Sequence, residues 1–180
     1  MEIKDILYHA ISEYEEKRVL SDIAQGESSE AISAIFSHCM RNIDKIGSDT
    51  PEMRTAIAEG LTHYMLTVAL IPSQRKTTFD SVEIDVAVPD TRTLSLTPDD
   101  VVVIHFSKTD KPQELNAQLD RLRKVQPRPE NIWVVAYRPV QVDAKVYALA
   151  DDQFTFANII NDLISFSSGK KHSKLKIFRI

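Results

Sequence analysis

The sequence predicts an α/β protein in which three N-terminal helices lead into a central mixed sheet flanked by helices. Three observations predict it. Apolar residues recur at spacings of three and four up to about Leu70, the period of amphipathic helices. Beyond Arg75 the period falls to two: Val82, Ile84, Val86 and Val88 alternate with Glu83, Asp85 and Ala87, the pattern of a strand with one buried face. Val101 to Ile104 and Ile132 to Val135 are then apolar on both faces and separated by one helical stretch. Such strands sit centrally under helices, and the connection is long enough for a right-handed parallel crossover.

The elements follow in order. Ile3, Ile6, Leu7, Ala10, Ile11 and Tyr14, continued by Val19, Leu20 and Ile23, predict a first helix that stops near Gly26. Ala31, Ile32, Ile35, Phe36, Cys39, Met40 and Ile43 predict a second, closed by Gly47. Asp49, Thr50, Pro51 and Glu52 announce a third with a capping side chain, a proline at the first helical position and an acid in the first turn. It carries Met53, Ile57, Leu61, Met65 and Val68 inward. Strands are predicted over Arg75–Phe79, Val82–Val88, Val101–Phe106 and Ile132–Tyr137, with a terminal one over Leu175–Ile180. A helix from Pro112 to about Val125 buries Leu115, Leu119 and Leu122, and a last helix spans Phe154–Phe166.

At 180 residues, 43% hydrophobic and 27% charged, the chain has the make-up of one ordinary globular unit rather than of a disordered or membrane class. No apolar run reaches the roughly 20 residues that span a bilayer, and Met1–Asp5 lacks a signal-peptide pattern, so a cytoplasmic location is expected. The single cysteine, Cys39, has no intrachain partner and reads as a buried inert thiol. A net charge of −4 supplies no general attraction to nucleic acid. Lys170, Lys171, Lys174, Lys176 and Arg179 bring five positive charges without an acid, which leaves −9 on the rest. Contact with phosphate must therefore be local. No phosphate-binding glycine loop, zinc-type Cys/His spacing or Ser-His-Asp pattern is present.

The element order helix, strand, strand, strand, helix, strand, with Asp85 in the middle strand and Lys108 at the end of the next, resembles the restriction-endonuclease-like fold, the PD-(D/E)XK nuclease and Holliday-junction-resolvase superfamily. The resemblance covers roughly residues 51 to 138. It is carried by Glu59 on the preceding helix, by Val82-Glu83-Ile84-Asp85-Val86, by Val102-Val103-Ile104-His105-Phe106-Ser107-Lys108, and by Gln118, where some members place a glutamine. It implies a helical extension over residues 1–48 and a nuclease-like core over 49–180.

It also implies phosphodiester hydrolysis assisted by a divalent cation, Mg²⁺ or Mn²⁺. Charge builds on phosphorus during that reaction, so carboxylates must hold an ion that neutralises it and a lysine can stabilise what remains. Asp85, Lys108, Glu59 and His105 are the implied catalytic residues, with Asp85 and His105 as metal ligands. Departure from the family pattern lies in its acid-x-lysine strand. If Lys108 is the lysine, the acid position holds Phe106; if His105 is the acid position, the lysine position holds Ser107. Histidine as a ligand favours manganese, zinc or iron over magnesium, and a bulge could bring Lys108 to the face of His105.

Arg121, Arg123, Lys124 and Arg128 form a basic run suited to the phosphates of DNA or RNA. The competing expectation is a non-catalytic module that uses this fold for association. Residues 1–30 hold eight acids against three basic residues, which suits a homodimer or a protein partner better than phosphate.

Overall fold

The computed structural model describes residues 2–45 and 49–177, with side chains through residue 169. Helices α1 (Ile3–Tyr14), α2 (Glu16–Ala24), α3 (Ser28–Lys45) and α4 (Pro51–Val68) open the chain. The stripe predicted to run unbroken from Ile3 to Ile23 is cut at Glu15, whose φ is 71°. The physical reason lies in the next stripe positions, Lys17 and Arg18, which a straight helix would drive toward the core. The corner resets the phase and buries Val19 completely. It is held by the Tyr14 hydroxyl, which donates to Asp22 at 2.5 Å, and by the Arg18 guanidinium 4.5 Å from the Tyr14 ring centre. The start of α4 is as predicted: Thr50 Oγ1 accepts from the Met53 N–H at 3.2 Å and Pro51 takes the first turn.

Strands β1 (Gln74–Phe79), β2 (Val82–Val88), β3 (Val102–Phe106), β4 (Ile132–Ala136) and β5 (Lys145–Ala148) form one mixed sheet in the order β1-β2-β3-β4-β5. The first two pairings are antiparallel and the last two parallel. Helix α5 (Thr91–Leu96) links β2 to β3, α6 (Pro112–Arg123) makes the crossover from β3 to β4, and α7 (Ile159–Ile177) ends the described chain. Two elements escape sequence periodicity because they are short. β5 has four residues, and α5 has six, started by Asp90 accepting from the Thr93 N–H at 2.7 Å. The strand predicted over Leu175–Ile180 is corrected through residue 177, where α7 continues past Gly169; a helical glycine costs only about 1 kcal/mol. Residues 178–180 lie outside the described residues, as do the side chains of the lysine-rich tail.

Both sheet faces are covered. On one, Val86, Val88, Val102, Ile104, Phe106, Trp133 and Val135 pack with α1, α3, α4 and α7. On the other, Ala87, Val101, Val103 and Val134 pack with Leu94 of α5 and Leu115, Leu119 and Leu122 of α6. The buried faces of α1 and α3 are spent on this core rather than left open. Gly60 permits the close approach of α1 to α4, since a Cβ there would lie 2.9 Å from Leu7 Cδ2.

Strand β2 departs from simple alternation. A regular strand would set Val82, Ile84, Val86 and Val88 on one face, yet Ile84 and Val82 pack on the α6 side whereas Val86 and Val88 pack on the α4 side. The strand therefore rotates at Asp85. Opposite it, Lys76 of β1 has φ 48°, in the left-handed region that costs a non-glycine residue about 1–2 kcal/mol.

Cys39 is fully buried on α3 with its thiol 3.9 Å from the Ile6 carbonyl oxygen, and burial pushes the thiol up to about 12. Native protein at pH 8 is expected to give no reaction with a thiol-selective chromogenic disulfide on the timescale in which urea-unfolded protein gives one equivalent; fast labelling of the native chain would contradict the burial.

Candidate active site

β2 pairs with β1 from Val82 to Ala87, with a break where Asp85 faces Lys76, but with β3 only from Val86 to Val88. Beyond Val86 the two strands fork, and the Asp85 side chain enters the gap. Its Oδ2 accepts the Phe106 backbone N–H at 2.9 Å and faces His105 Nδ1 at 3.0 Å. The other ring nitrogen of His105 lies 2.8 Å from the Gln118 side-chain oxygen on α6. A row Asp85–His105–Gln118 thus crosses the mouth of the fork. With Nδ1–H donating to Asp85, Nε2 donates to Gln118 in the imidazolium, or accepts from its amide in the neutral ring when that amide is turned over. Both nitrogens of His105 are engaged.

On the other side of Asp85, Lys76 Nζ lies 3.4 Å from Oδ1 and 2.6 Å from Glu59 Oε1. Glu59 comes from the middle of α4, and Lys76 is its partner. Its Oε1 is buried and receives no well-aligned hydrogen bond. Two carboxylates from different elements are therefore joined by one ammonium.

The protonation equilibria reflect these contacts. Burial pushes the Asp85 carboxyl up, but the hydrogen bonds from His105 and the Phe106 N–H, with the charge of Lys76, outweigh it and hold the group below the usual carboxylate range. Burial pulls the Lys76 ammonium down, and Glu59 and Asp85 together hold it above the usual lysine value.

Two clefts meet at this row. One, of about 550 Å³, is lined by Glu52, Glu59, Lys76, Asp85, His105 and Lys108 among others. The second, of about 640 Å³, shares Asp85, His105 and Gln118 and adds Ser81, Arg121 and Lys124. All four residues singled out as catalytic from the sequence, Glu59, Asp85, His105 and Lys108, thus line the first cleft. Lys108 lies beyond the last residue of β3, so the chain's exit from the strand, not a bulge within it, brings this exposed side chain to the cleft of His105.

The basic run divides. Arg121 and Lys124 reach the second cleft, whereas Arg123 is tied to Asp120 at 2.7 Å and to the Asp143 carbonyl, and Arg128 to Asp99. Sequence reasoning missed Lys76. The signal was the hairpin: Phe79 pairs with Val82 around Asp80 and Ser81, and continuing that register sets position 76 opposite position 85.

No family model matches this chain, and no curated protein matches it. Among solved structures it is similar to the restriction endonuclease PspGI in complex with substrate DNA, with a TM-score of 0.62, 13% sequence identity, and 94% of each chain covered. At that identity the likeness speaks for architecture: the chain has the restriction-endonuclease-like fold.

Proposed function

We propose that this protein is a nuclease that binds DNA and hydrolyses its phosphodiester bonds with the help of a divalent cation. The observation that carries the proposal is the meeting of Glu59 and Asp85, from separate elements, in one cleft with Lys108 at its edge, on a fold that the substrate-bound endonuclease PspGI shares. Among the described residues no three His, Cys, Asp or Glu side chains lie close enough to cage an ion. Magnesium does not require such a cage, because it is commonly held by one or two carboxylates with water and substrate phosphate completing its octahedron. The buried Glu59 Oε1, lacking an aligned donor and facing the same point as Asp85 Oδ1, fits a cation.

Glu59 and Asp85 would hold Mg²⁺ or Mn²⁺, which would offset charge on the phosphate and ease ionisation of the attacking water. The remaining steps belong to the chain's own residues. His105, expected from the sequence as a ligand, has both ring nitrogens occupied and instead fixes the orientation of Asp85, with Gln118 fixing the ring in turn. Lys108, exposed at the rim, can approach a phosphate oxygen as charge accumulates. Arg121 and Lys124 neutralise backbone phosphates alongside.

Cleavage assays on duplex DNA, single-stranded DNA and RNA, with Mg²⁺, Mn²⁺ or chelator, test this reading. Divalent-dependent cleavage of DNA is expected. Duplex affinity should fall linearly on a log scale with salt, and Arg121→Ala and Lys124→Ala should each lower the slope by about 1. A folded protein that neither binds nor cuts any of these substrates would sink the proposal.

A further inference from the structure

Lys76 is the one residue of the fork whose presence a metal-binding reading does not need. Its ammonium lies between the two carboxylates, 2.6 Å from Glu59 and 3.4 Å from Asp85. Its backbone is held at φ 48°, a conformation that an unbranched lysine adopts only at a cost. Yet its side chain is 56% exposed, so it can leave by rotating toward solvent without disturbing the core. The ammonium lies against the buried Oε1 at 2.6 Å, so this oxygen already accommodates a cation.

We propose that Lys76 is a tethered counter-cation that occupies the ion position between Glu59 and Asp85, and that a divalent cation binds by displacing it. The inference rests on the metal site proposed above and adds a regulatory residue to it. Without a positive charge, Glu59 and Asp85 face one another as like charges across a half-buried gap, which is costly. The ammonium supplies that charge when no metal is bound. An ammonium and a divalent ion in the same gap would repel at short range, so the two occupants exclude one another. Lys76 thereby weakens metal binding, and its displacement by metal frees an ammonium at the mouth of the cleft.

The test is Mn²⁺ binding by the protein alone, without nucleic acid, monitored by thermal melts and by the paramagnetic resonance signal of free Mn²⁺. Lys76→Asn removes the charge and suits the left-handed backbone; Lys76→Gly provides a second variant that takes this φ without strain. Each variant is expected to be half-saturated at a Mn²⁺ concentration at least about tenfold lower than wild type, equivalent to 1.4 kcal/mol. Adding Asp85→Asn to either variant should remove the gain. If both variants bind Mn²⁺ no more tightly than wild type, Lys76 is not a competitor, even where wild-type binding that Asp85→Asn abolishes preserves the metal site. If neither wild type nor variant binds Mn²⁺ at all, both proposals fall together.

Discussion

Asp85→Asn is expected to lower DNA cleavage by about 10²–10³-fold while leaving the fold intact. Asparagine keeps the volume and one oxygen, so the Phe106 N–H retains an acceptor. What it loses is the negative charge that faces Lys76 on one side and His105 on the other. Duplex binding through Arg121 and Lys124 should change little, so the defect should appear in turnover and in Mn²⁺ affinity. Equal cleavage by variant and wild type would remove Asp85 from the mechanism.

The same variant carries a pH signature. The folded Asp85 carboxyl titrates below its unfolded value, about 3.9. A depressed folded pKa means that the charged form stabilises the fold: the contribution is complete above the unfolded value and disappears as pH falls through the folded one. Wild type minus Asp85→Asn stability, from urea unfolding, is therefore expected to shrink as pH falls from about 5 through the folded Asp85 titration. A difference that grows toward acid would contradict the hydrogen bonding at the fork.

Arg54→Ala is expected to cost about 1.5–3 kcal/mol, because it removes charge-assisted hydrogen bonds made by a buried guanidinium to partly exposed carboxylates. Arg54 sits in the first turn of α4 with its side chain 7% exposed. Its Nε and Nη2 donate to the two carboxylate oxygens of Asp49, each at 2.7 Å, and Nη1 to Asp151 at 3.0 Å. The guanidinium also faces the Tyr137 ring. The paired fork holds the Asp49 carboxyl below the usual range, chiefly through the hydrogen bonds from Arg54. Truncation leaves Asp49 and Asp151 without their shared cation and removes the guanidinium that faces the Tyr137 ring. Arg54→Met, which restores volume but not charge, should recover part of the loss in a urea midpoint measurement. If Met and Ala lose equally, packing contributes little and the ion pairs carry the effect. A loss below about 1 kcal/mol would place Arg54 among ordinary surface pairs.

The helices and the central strands are legible because their signals are local. Pro51 after Thr50 starts α4, Leu115, Leu119 and Leu122 define the buried stripe of α6, and Val102–Ile104 reads as a strand covered on both faces. Glu15 is less visible, since what breaks the first helix is not a breaker residue but charge at the next stripe positions. β5 is not visible: Lys145–Ala148 is stabilised by pairing with β4, with Tyr147 donating to Asp162 at 2.6 Å and the Lys145 ammonium over the Trp133 ring, contacts made across long sequence separations.

The site shows the same division. From the residues alone, Asp85 stands out as a charge in a half-apolar strand, and the family resemblance points to Gln118 and Lys108. By itself the sequence determined the order of the long helices and the first four strands, the sheet flanked by helices, and an acid in the second strand. Only the tertiary structure decided that β2 rotates at Asp85, that the strands fork there, and that Lys76 rather than a second carboxylate is the neighbour Asp85 meets on β1. Periodicity reports which face a residue occupies while the strand stays regular. Where the twist changes and strands part, the partners are set by contacts between distant segments, which no single stretch of sequence encodes.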